Sequence, residues 1–153
     1  MLGRLARWLR ALGFDTVYDE RLSDHALVAL ARAEQRVLLT RDRHLLRELR
    51  PAAALEIQAD APLEQLRAVV RTLGLRPPTE LFLRCLLCNT PLEPASAEER
   101  ATLVPPASRD LPGPVRRCPG CGRVYWEGSH VRRMRAALDA ALPGWRSGGG
   151  ALE

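Results

Sequence analysis

The chain contains no lysine: all 23 of its positive side chains are arginine, set against 18 acids for a net charge of +5. It also lacks any apolar run near the roughly 18 residues that a membrane span requires. Its opening, MLGRLARWLRALG, is amphipathic, with neither the unbroken apolar stretch nor the small-residue cleavage site of a signal peptide. Together these absences lead us to expect a cytoplasmic protein with no membrane partner. No internal repeat is present beyond a doubled cysteine motif. With 46% apolar residues in 153, the chain can bury a real core as one ordinary domain or two small ones. The exclusive use of arginine has two readings. A GC-rich genome favours it over lysine, and a planar guanidinium is the better fork for phosphate oxygens, which suits a polyanion ligand.

Leu2, Leu5, Ala6, Leu9 and Leu12 recur at helical spacing and Gly13 ends the pattern, so a first helix is expected with Arg4, Arg7 and Arg10 around it. FDTVY (14–18) reads as a short strand. Ser23 reads as the N-cap of a helix over 24–34 with Leu27, Leu30 and Ala31 inward. RVLLT (36–40) reads as a buried strand, RHLLREL as a short helix, and ALEIQ (54–58) as another strand. Pro62 opens a further helix that Gly74 closes. Strands alternating with helices predict an α/β fold, a parallel sheet flanked by helices. The pattern breaks at LRPPTE (75–80), where we place a domain boundary. Residues 94–114, rich in proline and polar side chains, are expected to be irregular, residues from Ser129 helical, and 141–153 a disordered tail.

The four cysteines form two C-x2-C pairs, Cys85 with Cys88 and Cys118 with Cys121, separated by 29 residues. Each pair can offer two thiolates to one tetrahedral ion at about 2.3 Å. Asn89 and Gly122, just after the pairs, tolerate the left-handed backbone that tight knuckles require. Two disulfides are the alternative, disfavoured in a chain without a secretion signal. Zinc is therefore expected, with every position filled by sulfur and so structural. After the second pair, GRVYWEGSHVRRMR sets Tyr125 and Trp126 among Arg123, His130, Arg132, Arg133 and Arg135. Aromatic faces stack on unpaired bases and guanidinium groups take phosphates, so this segment is a candidate contact for single-stranded RNA. The aromatic pair could instead pack the small ribbon.

Ligands of open parallel sheets bind beyond the carboxyl ends of the strands. Asp42 stands two residues past RVLLT, and Asp24 opens the helix after FDTVY, so both belong at that edge. Two converging carboxylates suit Mg²⁺ or Mn²⁺, and nearby arginines would hold a polyanion whose phosphodiester the ion attacks. The same residues have a plainer reading: Asp24 favours a helix N-terminus and Asp42 caps the next helix.

The run from MLGRLARWLRALGFDTVYDERLSD to LLTRDRHLL, followed by the CxxCN pair and CPGCGRVYWEGSH, resembles the Mut-seven C-terminal (Mut7-C type) ribonuclease family, over about residues 1–135. The resemblance implies a PIN-like nuclease domain (1–80) joined to a zinc ribbon with a basic C-terminal helix (81–140), a hydrolase cutting RNA. It maps the family's metal-site acids onto Asp24 and Asp42. To these we add Asp19 and Asp15 as lesser helpers, and we expect Arg4, Arg7, Arg41 and Arg43 to steer the RNA backbone. Family members usually carry, just before MLGRLARW, a strand ending in aspartate, whereas this chain starts at that methionine. An upstream start, a strand from another chain, or a nuclease domain degenerated into a non-catalytic RNA-binding zinc-ribbon protein would each account for that departure.

Overall fold

A computed structural model describes residues 2–147. The first helix, α1 (Gly3–Ala11), buries Leu5, Ala6, Leu9 and Ala11 on one face, and Gly13 leaves it with φ +87°. Helix α2 (Asp24–Ala33) starts on Ser23, whose hydroxyl accepts from the Ala26 N–H. Its buried residues are Val28 and Ala31, with Leu27 and Leu30 only half-buried, a rotation of the expected face by one position. Strand β1 (Leu38–Thr40) pairs in parallel with β2 (Ala54–Glu56), Leu39 opposite Leu55, and α3 (Arg43–Leu49) lies between them in sequence. Helix α4 (Pro62–Leu73) has proline in its first turn and ends on Gly74 at φ +60°.

The parallel sheet is thus a two-stranded one. FDTVY corrects an expectation, because it forms no strand and joins no ladder. Side chains have taken its backbone groups: the Thr16 N–H donates to Asn89 Oδ1 (2.9 Å) and the Thr16 carbonyl accepts from Arg10 Nε (2.9 Å). A segment whose polar groups are satisfied in this way has little to gain from strand pairing. On β1, Leu38 N–H and Thr40 C=O face β2. By strand alternation the Leu39 N–H and C=O point to the opposite edge.

The second half holds a three-stranded antiparallel sheet in the order β3 (Glu93–Pro94), β4 (Arg116–Arg117), β5 (Val124–Tyr125). Between β3 and β4 the expected irregular insertion contains a helix, α5 (Ala97–Leu103). Ser96 and Glu99 cap it reciprocally: the Glu99 N–H donates to Ser96 Oγ (3.1 Å) and the Ser96 N–H to Glu99 Oε1 (3.0 Å). That box satisfies two orphan donors and nucleates the turn despite the prolines around it. Helix α6 (Ser129–Ala141) closes the fold.

One apolar cluster crosses residue 80: Leu5, Leu9, Leu66 and Val69 pack with Leu81, Phe82, Leu86, Val131 and Leu138. The expected disordered tail is corrected over 141–147, where Trp145 is buried and its Nε1–H donates to the Leu75 carbonyl (3.2 Å). The rest of that tail, 148–153, lies outside the described residues. Among those residues no helix is long and apolar enough to cross a membrane.

Candidate functional site

Two concave surfaces flank α1. The larger, about 1090 Å³, runs along the free edge of β1 between α1 and α2. Its walls are mostly apolar, and three exposed aliphatics, Val17, Val37 and Leu73, line it. Asp15, Asp19 and Asp42 also line it; Asp24 does not.

These acids differ in what remains free. Asp19 gives both oxygens to Arg21 (2.9 Å each), whose hydrogen bonds hold its carboxyl down to about 2. Asp15 gives Oδ2 to Arg36 (3.0 Å) and Oδ1 to Asn89 Nδ2 (2.7 Å), and those two partners lower its pKa. Asp42 stands at the carboxyl end of β1 as the N-cap of α3. Its Oδ1 accepts from the N–H groups of His44 (2.7 Å) and Leu45 (3.2 Å), and its own N–H donates to Thr40 Oγ1 (3.0 Å). The capping role expected of Asp42 is therefore present, and it leaves Oδ2 without a bond among the described residues. Asp24 is exposed in the first turn of α2, where its charge favours the helix N-terminus. Flanking Asp42, Arg41 reaches Asp60 (2.5 Å) and Arg43 reaches Glu56 (2.6 Å), so both cations carry a carboxylate.

The cysteines converge. Sγ of Cys85 lies 3.6 Å from Cys121 and Sγ of Cys88 3.3 Å from Cys118, and all four lie within 4.8 Å of one another. A tetrahedron of sulfurs around zinc has edges of about 3.8 Å, whereas a disulfide is about 2.05 Å long. The four thiols are thus positioned for one metal ion and suit structural zinc. They are the only group of three or more possible metal ligands among the described residues. Asn89 and Gly122 have φ of +70° and +78°, the left-handed turns expected after each pair. Tyr125 serves the knuckle: its hydroxyl accepts from the Leu86 N–H (3.0 Å) and lies 3.2 Å from Cys85 Sγ, and burial raises its pKa.

The second surface, about 770 Å³, lies between α1 and the ribbon. Arg4, Arg7 and Trp8 of α1 face Arg123, Trp126, His130 and Arg132 across it. Arg4 and Arg7 are therefore placed apart from Arg41 and Arg43, which line the groove with Asp42. Arg133 is exposed outside the cleft.

The family model for the Mut7-C RNAse domain matches residues 1–138. The chain belongs to this family. No curated protein and no solved structure matches it. Within the family-matched span, the structure adds three residues that the spacing arguments passed over. Arg10, expected off the apolar face with Arg4 and Arg7, is instead buried and ties α1 to the knuckle; Asn89 ties the knuckle to Asp15 and Thr16, and Trp8 faces Trp126's cleft. An arginine on the buried face of an amphipathic helix was the available signal for the first.

Proposed function

We propose that this chain is a ribonuclease hydrolysing RNA phosphodiester bonds with Mg²⁺ or Mn²⁺, and that its four cysteines hold a structural zinc whose ribbon contributes RNA binding. Residues 1–80 form the nuclease part and 81–140 the ribbon with its helix. Family membership supports the reaction class. The observation that carries the site is Asp42, held rigid by its cap bonds with Oδ2 free at the mouth of the groove.

Mg²⁺ takes one or two carboxylates, several waters and the substrate's own phosphate, so one firmly placed carboxylate suits it better than a crowded acid cage. Asp24 is the second ligand that the motif assigns. When bound, the ion would supply a nucleophilic water and offset the negative charge on the phosphoryl oxygens. The chain's own part is positional. Thr40 and the first turn of α3 fix Asp42, while Arg41 and Arg43 can exchange their carboxylate partners, the exposed Asp60 and the half-buried Glu56, for a phosphate.

The test is Asp42→Asn. Asparagine caps a helix as well as aspartate does, so α3 keeps its start while the carboxylate charge is lost. Metal-stimulated cleavage of single-stranded RNA should fall to background with unfolding unchanged; cleavage at the unaltered rate removes Asp42 from the reaction. A second reading, a non-catalytic RNA-binding protein, is favoured by the full occupation of Asp15 and Asp19 by arginine and asparagine. It predicts RNA binding with no metal-stimulated turnover in the unaltered chain.

A further inference from the structure

The cleft between α1 and the ribbon differs in charge from the groove along β1, whose lining mixes carboxylates with arginines. Among the described residues no aspartate or glutamate lines it, while Arg4, Arg7, Arg123, Arg132 and His130 do. All five are exposed, and among the described residues none makes an ion pair or side-chain hydrogen bond. Arginines next to the cleft behave otherwise: Arg116 is held by Glu80 and Arg135 by both oxygens of Glu127. Glu127, beside the lining, feels the charge of Arg132 but spends both oxygens on Arg135, so the four guanidinium groups lining the cleft keep their hydrogen-bond donors free among the described residues, and an entering anion would offset their charge.

Two half-buried tryptophans, Trp8 and Trp126, share the lining. The Trp126 indole is seated by a close approach to Gly128, where an added Cβ would fall 2.7 Å from its Nε1. Gly128 is also the N-cap of α6, which has no side-chain cap and no acid in its first turn. The positive end of that helix therefore faces the same space uncompensated. A volume of about 770 Å³ lies within the range of small-ligand sites, enough for a nucleotide but not for a duplex.

We propose that this cleft binds single-stranded RNA, one unpaired base stacking on Trp126 and the adjoining phosphates held by Arg4, Arg7, Arg123 and Arg132. An unpaired base is required because a duplex buries the base faces that an indole would meet. The site is composite: α1 supplies half of the cations and the zinc-ordered ribbon the rest. The choice of RNA over another polyanion rests on the ribonuclease reading, but the site does not require that the chain cuts what it holds.

Binding is measured by anisotropy with the full zinc-loaded chain and a short labelled RNA, without added Mg²⁺ or Mn²⁺, so loss of binding and loss of cleavage are separate results. Trp126→Ala should weaken binding about 5- to 150-fold, the range for removing one stacked base. Gly128→Ala, which displaces the indole and keeps every charge, should act in the same direction. Neither should alter binding of an abasic strand of the same length. Arg123→Gln and Arg132→Gln should weaken both strands and each reduce the salt slope by about 0.7. Arg47→Gln, an equal loss of charge on α3, should change affinity less than about twofold. Equal binding of normal and abasic strands, preference for duplex RNA or an acidic peptide, or Trp126→Ala indistinguishable from the unaltered chain would each overturn the proposal.

Discussion

Removing Arg10 should loosen the joint between the first helix and the cysteine ribbon. Its guanidinium is buried and donates from Nη1 to the carbonyls of Leu86 (2.9 Å) and Leu87 (3.2 Å) and from Nε to that of Thr16 (2.9 Å). Burial lowers its pKa, and the neighbouring Cys85 and Cys88 thiol groups oppose that shift. Arg10→Ala would strip the two best-placed carbonyls of a charged donor, each bond being worth about 1.5 to 3 kcal/mol. Water can reach the Leu87 side, which is exposed, so we expect a net loss of about 3 to 5 kcal/mol from a stability of about 5 to 15. For a chain of this size that is a fall in Tm of about 6 to 20 °C. Arg10→Lys keeps the charge but cannot fork to three carbonyls, and should recover only part of the loss. Thermal unfolding followed by circular dichroism checks this. A change in Tm within about 1 °C for Arg10→Ala, the size of an ordinary surface substitution, would refute the reasoning.

Three further outcomes follow from the same geometry. Chelating the metal, or Cys118→Ser, should unfold the ribbon and with it the Trp126 environment, since structural zinc contributes an apparent ~10 to 16 kcal/mol; one equivalent of zinc by elemental analysis and a lost near-ultraviolet signal on chelation check it, and an unchanged signal counts against it. Ser96→Ala should cost about 1 kcal/mol and speed amide exchange in α5 alone, because only the capping box starts that helix among prolines; uniform exchange across the chain would count against a local role. Asp15, its pKa lowered by Arg36 and Asn89, contributes stability that is complete above about pH 4 and is lost as the pH falls through the folded value. Asp15→Asn should therefore flatten the acid limb of urea midpoint against pH, and an identical limb would remove the linkage.

Much of this arrangement was legible from local chemistry. Ser23, Asp42, Pro62 and Gly74 are helix stops and starts whose preferences act over a few residues, and each stands where its element begins or ends. The knuckle turns at Asn89 and Gly122 were legible for the same reason. FDTVY has the aromatic and β-branched composition of a strand, while the partners that take its backbone groups, Arg10 and Asn89, lie elsewhere in the chain. The capping box at Ser96 was present in the letters but outweighed by neighbouring prolines. Helical periodicity showed that Arg4 and Arg7 lie off the buried face, yet it carries nothing about what faces them, and the ribbon's return across α1 decided that. Likewise, strand order brought Asp24 and Asp42 to one edge in principle, while side-chain placement put only Asp42 in the groove.

The most direct measurement is cleavage of end-labelled single-stranded RNA by the full zinc-loaded chain, with and without Mn²⁺ or Mg²⁺. A ribonuclease centred on Asp42 predicts shortened products that require the added ion and vanish in Asp42→Asn. Intact RNA at every ion concentration, from a folded chain that still binds it, would contradict the account.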